Sequence, residues 1–191
     1  MPRILVASGN PGKLREYGEL LGPAGWEVEP HDSGVEETGT TYAENAILKA
    51  AAAARATGRP ALGDDSGIEV DTLGGFPGLR SARLGPSQEE RTRILLEMLA
   101  GLPRPWLARF TCTIAYAVPG QPPRTVEGER RGEVVPDWRG TAGFGYDPIF
   151  LIPELGRTFG ELGPEEKHRW SHRGAAVQAL LATGWLSEAR G

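Results

Sequence analysis

Apolar and polar positions alternate along the chain with two periods, and the changes between them mark out short elements. Arg3–Ala7 is an apolar run of strand length and reads as a buried strand. Residues 13–21 carry Leu14, Tyr17 and Leu21 at helical intervals, so one face is apolar. Residues 27–30 read as a short strand. Thr41 followed by Glu44 has the form of a capping box, and an alanine-rich helix runs from it to about Ala56, closed by Gly58. On that helix Thr41, Asn45 and Lys49 share a polar face, with Ala43, Ile47, Ala50 and Ala54 forming an apolar one. Residues 61–63 and 68–70 read as short strands flanking Asp64-Asp65-Ser66-Gly67, and residues 74–78 as a loop. Ser87 begins a helix through Leu99. Residues 108–118 and 125–135 form a long hairpin about Pro-Gly-Gln-Pro-Pro. The glycine-rich stretch 140–146 leads into a short apolar strand, and Ser171 caps a last helix to about Thr183. Strands and helices alternate early and long strands pair later, which predicts an α/β fold with a mixed sheet.

The length of 191 residues fits a single domain, 1–191, or two lobes around one cleft. The opening Met-Pro-Arg-Ile-Leu-Val-Ala is too short for a secretory core, and no stretch approaches the roughly 18 apolar residues of a membrane span. A cytoplasmic protein that does not engage a membrane is expected. One cysteine, Cys112, and three histidines cannot build a cysteine-rich zinc site, so any metal should be hard and oxygen-bound. A net charge of -4 without a basic run argues against nucleic acid as a partner, while leaving room for a local positive pocket.

Composition sharpens this picture. Eighteen arginines stand against three lysines, at 13, 49 and 167, and the only asparagines are Asn10 and Asn45. Depletion of Asn, Cys and Met points to a heat-adapted source or a GC-rich genome. A lysine that survives such replacement marks a place where a compact ammonium is wanted, and an asparagine one where donor and acceptor are both wanted.

Four segments can carry chemistry. Ser8-Gly9-Asn10-Pro11-Gly12-Lys13 is a strand-to-helix turn whose amides, hydroxyl and ammonium suit an anion, although its spacing is not that of a Walker loop; a plain glycine turn is the alternative. The Thr41, Asn45 and Lys49 face is either a solvated surface or a second wall of the same site. The acids Glu36-Glu37 and Asp64-Asp65 can hold Mg²⁺ and orient a water, or Asp-Asp-Ser-Gly can be a tight turn. In the C-terminal third, Phe144-Gly145-Tyr146-Asp147 offers two rings and a carboxylate to a base. Lys167 and Ser171-His172-Arg173-Gly174 put positive charge at a helix start, which calls for a bound anion or for ion pairing with Glu165 or Glu166.

Six motifs in order, Ser-Gly-Asn-Pro-Gly-Lys-Leu-Arg-Glu, Glu-Asn-Ala-Ile-Leu-Lys-Ala, Asp-Asp-Ser-Gly-Ile-Glu-Val, Gly-Gly-Phe-Pro-Gly, Gly-Phe-Gly-Tyr-Asp-Pro-Ile-Phe and Ser-His-Arg-Gly, resemble the inosine triphosphate pyrophosphatase family, also called the Ham1 family. The likeness runs from Leu5 to about Leu181. It implies two lobes around a central cleft, an elongated mixed β-sheet flanked by helices, a homodimer, and hydrolysis of inosine, deoxyinosine and xanthosine triphosphates to monophosphate and pyrophosphate. It further implies that Ser8, Gly9, Asn10, Pro11, Gly12, Lys13 and Lys49 bind the triphosphate. Glu36 and Asp65 would hold Mg²⁺, with Glu37 the alternative to Glu36, and Asp65 would be the catalytic base, with Ser66 beside it. Phe144, Gly145, Tyr146 and Asp147 would hold the base, and Lys167, His172 and Arg173 would complete the contacts. On the same likeness Arg83 would be an extra phosphate contact, outside this set of site residues. A pyrophosphatase of the Maf type or a non-catalytic nucleotide sensor would share parts of this design.

Overall fold

The apolar run at the start forms strand β1 (Arg3–Ala7), and its period of two divides two layers of core. Ile4 and Val6 pack with Tyr17 and Leu21 of helix α1 (Pro11–Leu21), while Leu5 and Ala7 pack with Ala46, Ala50 and Ala53 of helix α2 (Tyr42–Thr57). In this computed structural model, which describes residues 1–188, the chain continues through strands and helices in alternation. Strand β2 (Glu27–His31) lies between α1 and α2, and β3 (Ala61–Val70) follows α2. Then come helix α3 (Gln88–Leu99), strands β4 (Trp106–Ala117), β5 (Arg124–Val134), β6 (Phe150–Ile152) and β7 (Arg157–Thr158), and helices α4 (Pro164–Trp170), α5 (His172–Ala182) and α6 (Trp185–Glu188).

The strands form one seven-stranded sheet in the order β2-β1-β3-β4-β5-β6-β7. β1 runs parallel to β2, with Arg3 opposite Glu27, and parallel to β3, with Leu5 opposite Ala61. Parallel neighbours require crossovers, which α1 and α2 supply. β5 with β6 and β6 with β7 are antiparallel, so the sheet is mixed, as the sequence predicts. β4 and β5 are neighbours joined by only six residues, a connection short enough only for a hairpin.

The chain forms two compact units. One comprises Met1–Asp65, Cys112–Gly128 and the described residues from Arg173 onward, and the other Ser66–Thr111 and Glu129–His172. Each has its own core. In the first, alanine on one face of α2 allows a close approach to β3: a Cβ on Gly63 would lie 2.5 Å from the Ala46 carbonyl oxygen. In the second, Ile68, Val70, Leu95 and Leu99 surround an aromatic cluster in which the Phe110 and Phe150 rings lie 4.7 Å apart and those of Phe150 and Phe159 5.2 Å apart.

Four expectations change. α1 begins at Pro11 rather than Lys13, because Pro at a first helical position has no amide to satisfy and a φ already suited to the helix. Residues 64–67 are not a turn between two short strands but the middle of β3. On α2 the expected division of faces holds only in part: Ala50 and Ala54 are buried and Thr41 is exposed, but Asn45 is fully buried, whereas Ala43 and Ile47 are only partly covered. Finally, Lys167 lies on a short helix, α4, that periodicity did not announce. No described helix is long and apolar enough to cross a membrane.

Candidate active site

β3 brings Asp64 and Asp65 to the middle of the sheet, and the pleat sends adjacent side chains to opposite faces. The two acids therefore meet different partners. Asp64, on the face shared with α1 and α5, accepts from Lys13 Nζ at 2.8 Å and from Arg173 Nε and Nη2 at 3.2 and 3.1 Å. The Cys112 thiol lies 3.6 Å from the same carboxylate. Arg173 also reaches Glu16 through Nη1 at 2.5 Å, and it is only 1% exposed. Burial acts to raise the Asp64 carboxyl, but Lys13, Arg173 and Lys49 outweigh it and hold Asp64 well below the usual carboxylate range. Asp64 is thus a permanent anion whose surroundings fix Lys13 in place. A lysine ammonium has three donors, so Lys13 keeps others for a ligand.

Asp65 faces α2. Its Oδ2 accepts from Asn45 Nδ2 at 3.0 Å, and Asn45 Oδ1 accepts in turn from the Gly39 amide at 2.8 Å. The side chain uses both its donor and its acceptor, the property for which a carboxamide is suited. Lys49 donates to Glu37 Oε1 at 2.9 Å and lies 3.8 Å from Asp65 Oδ1. Burial opposes its charge, but Asp64, Asp65 and Glu37 together hold the ammonium above its usual value. Asp65 shifts the other way from its neighbour: burial lifts its carboxyl above the ordinary range, Lys49 and Asn45 counteract, and Glu37 adds to the lift. In this unit Lys13, Lys49 and Arg173 face Glu16, Glu37, Asp64 and Asp65.

The turn before α1 is built differently from the expectation of open amides. Asn10 is the N-cap, and its Oδ1 accepts from the Gly12 and Lys13 amides at 2.9 and 3.2 Å. Ser8 Oγ accepts from the Asn10 amide at 3.1 Å and keeps its own proton to donate. Side chains therefore offer more to an anion here than the helix amides do. Of the two acids in the loop before α2, Glu37 joins the Lys49 cluster, whereas Glu36 is exposed. Among the described residues no group of three or more His, Cys, Asp or Glu side chains is arranged to hold a metal. Glu37 and Asp65 converge on one ammonium and supply two carboxylates, which fits an ion such as Mg²⁺ that completes its shell with water and phosphate oxygens.

The second unit gathers the C-terminal motif residues. Asp147 Oδ2 accepts from the Phe144 amide at 2.7 Å and from Lys167 Nζ at 2.5 Å. That ammonium also lies 5.0 Å from the Phe144 ring centroid. Tyr146 is not a loop ring awaiting a base. It is 4% exposed within the core and donates from Oη to the Ser81 carbonyl at 2.7 Å, and burial pushes its pKa to about 12. Phe144, by contrast, is only partly covered. His172 stacks on Phe110, 4.6 Å between centroids and 10° between planes. Ser66, the residue after Asp65 in β3, opens this unit. The sequence leaves ion pairing with Glu165 or Glu166 as the alternative to a bound anion; Lys167 pairs with Asp147, Arg173 with Asp64 and Glu16, and Glu166 meets Arg157.

The sequence profile of the Ham1 family matches residues 4–183. This chain belongs to the Ham1 family. A dITP/XTP pyrophosphatase of Gloeobacter violaceus is 54% identical over 181 residues, covering 94% of this chain and 92% of that one. One from Thermus thermophilus is 47% identical over 186 residues, covering 94% and 90%. The solved structure of a HAM1 protein from Coxiella burnetii superposes with a TM-score of 0.85 at 40% identity, covering 99% of this chain and all of the other. Within this Ham1 chain the partners that motif reading missed are Glu16 and Cys112 around Asp64, and Gln88 and Ser81 around the 144–147 loop. Glu16 had a faint signal, lying one turn beyond Lys13 on the same helix. Gln88 and Ser81 had none, since their contacts depend on which elements meet.

Proposed function

We propose that the chain is a Mg²⁺-dependent pyrophosphatase that hydrolyses deoxyinosine, inosine and xanthosine triphosphates to monophosphate and pyrophosphate, removing them from the nucleotide pool. The observation that carries the reading is the contrast between adjacent acids: Asp64 is bound by Lys13 and Arg173, while Asp65 turns to the other face of β3, where Asn45 Nδ2 donates to it at 3.0 Å and Lys49 Nζ lies 3.8 Å away beside Glu37. A general base must reach the water it deprotonates, and of the two acids Asp65 is the one that shares the Lys49 and Glu37 cluster read as the metal and phosphate side. In the reaction a water oxygen bonds to the α-phosphorus, its proton passes to Asp65, and the bond from the α-phosphorus to the bridging oxygen breaks to release pyrophosphate. Lys13, Lys49 and the Ser8 hydroxyl steady the charge that gathers on the leaving group. Glu37 and Asp65 are the residues to hold Mg²⁺, which when bound neutralises phosphate oxygens and polarises the α-phosphoryl group. Glu37 replaces Glu36 in this role because it, and not the exposed Glu36, meets Lys49.

In the second unit Phe144 and the Asp147–Lys167 pair are read as the purine-recognition elements, with His172 supporting them. Discrimination for a 6-oxo purine over a 6-amino one then arises from a donor left unmatched by the wrong base. Arg173 is assigned a supporting role through Asp64. On the family likeness the enzyme is a cytoplasmic homodimer that binds no nucleic acid.

The test is a product panel over nucleoside triphosphates with and without Mg²⁺, read with and without added inorganic pyrophosphatase. The expected result is pyrophosphate and monophosphate, strongest for the 6-oxo purines and lost without the metal. Direct release of orthophosphate with a nucleoside diphosphate, or equal rates on adenosine and uridine triphosphates, would overturn the reading.

A further inference from the structure

The loop assigned to the purine is poorly able to order itself. Gly140, Gly143 and Gly145 all adopt left-handed φ, at 78°, 76° and 63°, and glycine loses more backbone freedom on ordering than any other residue. External ties must therefore supply its shape, and two of them lead to one segment. Tyr146 Oη donates to the Ser81 carbonyl at 2.7 Å, and the Gly145 amide donates to Gln88 Oε1 at 3.0 Å.

That segment is itself anchored. Ser81 Oγ accepts from the Ile68 amide of β3 at 2.9 Å and donates to the Gly78 carbonyl at 2.6 Å. Ser87 caps α3 by accepting from the Glu90 amide at 3.1 Å. Arg91, one turn into the helix, donates through Nη1 to the Ala82 and Gly85 carbonyls at 3.2 and 3.3 Å. Gln88, the first residue of α3, thus projects its carbonyl oxygen from a fixed platform. The Gly145 amide can only donate, so only an acceptor of this length at position 88 can hold it.

We infer that Gln88 is a positioning residue for purine recognition: its carbonyl oxygen sets the Gly145 peptide and with it the orientation of Phe144 and the Asp147–Lys167 pair. The inference rests on the purine-recognition role proposed for this loop. Gln88 itself belongs to none of the motifs.

Two variants separate acceptor from bulk. Gln88→Met keeps length and removes the acceptor, and Gln88→Glu keeps both. With dITP and dATP as substrates, Gln88→Met should raise KM for dITP about three- to tenfold, the scale of one lost hydrogen bond, with kcat little changed. The dITP-to-dATP ratio of kcat/KM should fall in step, and Gln88→Glu should restore both values. Amide exchange at Gly145 should be slow in the wild type and in Gln88→Glu, and fast in Gln88→Met. Unchanged KM and selectivity in Gln88→Met, or an equal loss of kcat on both substrates with a lowered Tm, would overturn the inference. Wild-type protein that releases no pyrophosphate from dITP would instead refute the proposed function, which is a distinguishable result.

Discussion

Replacing Arg173 by Met tests how much of the first unit depends on its buried charge network. The guanidinium side chain is 2% exposed, and its partners Glu16 and Asp64 are 4% and 1% exposed, so water screens none of these contacts. The substitution removes three charge-assisted bonds while both carboxylates stay buried. Breaking a buried pair from one side costs about 3–5 kcal/mol, a large part of the roughly 5–15 kcal/mol that separates folded from unfolded chains. With a urea dependence near 2 kcal/mol/M, the midpoint should fall by about 1.5–2.5 M. Acidity gives the signature. In the wild type Asp64 is held below its unfolded value, so its contribution is present above roughly pH 4 and lost only as pH falls through the lower folded value. Without Arg173 that folded value rises, and protonation near pH 4 relieves part of the deficit. The assay is urea unfolding of both proteins at pH 7 and pH 4.5, with the Glu16→Met/Arg173→Met double variant as a third arm. The double variant should recover stability relative to Arg173→Met alone, because it removes a stranded carboxylate. A loss under about 1 kcal/mol at pH 7 that does not narrow in acid would refute the claim that this network supports the unit.

The other predictions are briefer. Asp65→Asn should abolish turnover and leave the Tm near that of the wild type, and Glu37→Gln should raise the Mg²⁺ concentration for half-maximal rate far more than Glu36→Gln; the reverse order would move the metal to Glu36. Gly143→Ala should destroy activity with the global fold retained by circular dichroism, since its Cβ would lie 2.0 Å from Asp147 Oδ2 at a φ of 76°. Cys112 is buried, and burial followed by Asp64 pushes its thiol to about 12, so the native protein should not react with a thiol reagent at pH 8 whereas the urea-unfolded chain should react at once. The same shift means that the unfolded chain releases this proton near pH 9 and the folded one does not, so stability should fall by up to about 1.4 kcal/mol per unit as pH rises from there. Cys112→Ala should remove that component of the slope, as read by unfolding between pH 8 and pH 10.

Much of the site was legible before any fold was known. Arginine has displaced lysine almost everywhere, and each remaining lysine meets a carboxylate: Lys13 with Asp64, Lys49 with Glu37 and Lys167 with Asp147. Both asparagines have a defined task, Asn10 as a helix cap through Oδ1 and Asn45 as donor and acceptor at once. Such residue choices are local chemistry, and they leave a trace in composition because the demand for an ammonium or an amide acts at single positions. The start of α2 at Thr41, its end at Gly58 and the parallel strand order implied by alternating elements are legible for the same reason, since caps and crossovers are short-range constraints.

What a residue faces is a different matter. Asp64-Asp65-Ser66-Gly67 has the composition of a turn, yet it lies within a ten-residue strand, because tertiary cations neutralise charges that a buried strand could not otherwise hold. Arg173 meets Glu16 across 157 positions of sequence, and Gln88 meets Gly145 across 57. Neither separation leaves a periodic trace. Tyr146 sits in a motif that looks like a loop for stacking, but the packing of Leu95, Phe150 and Phe159 draws its ring into the core. The sequence by itself determined most of the longer elements, though not the continuity of β3 or the short helix α4, and which residue types carry charge and amide chemistry, because propensity, capping and residue choice act over a few positions. Only the tertiary structure decided that adjacent acids part to opposite faces of β3 and take different partners, because that depends on which helix each face of the sheet receives.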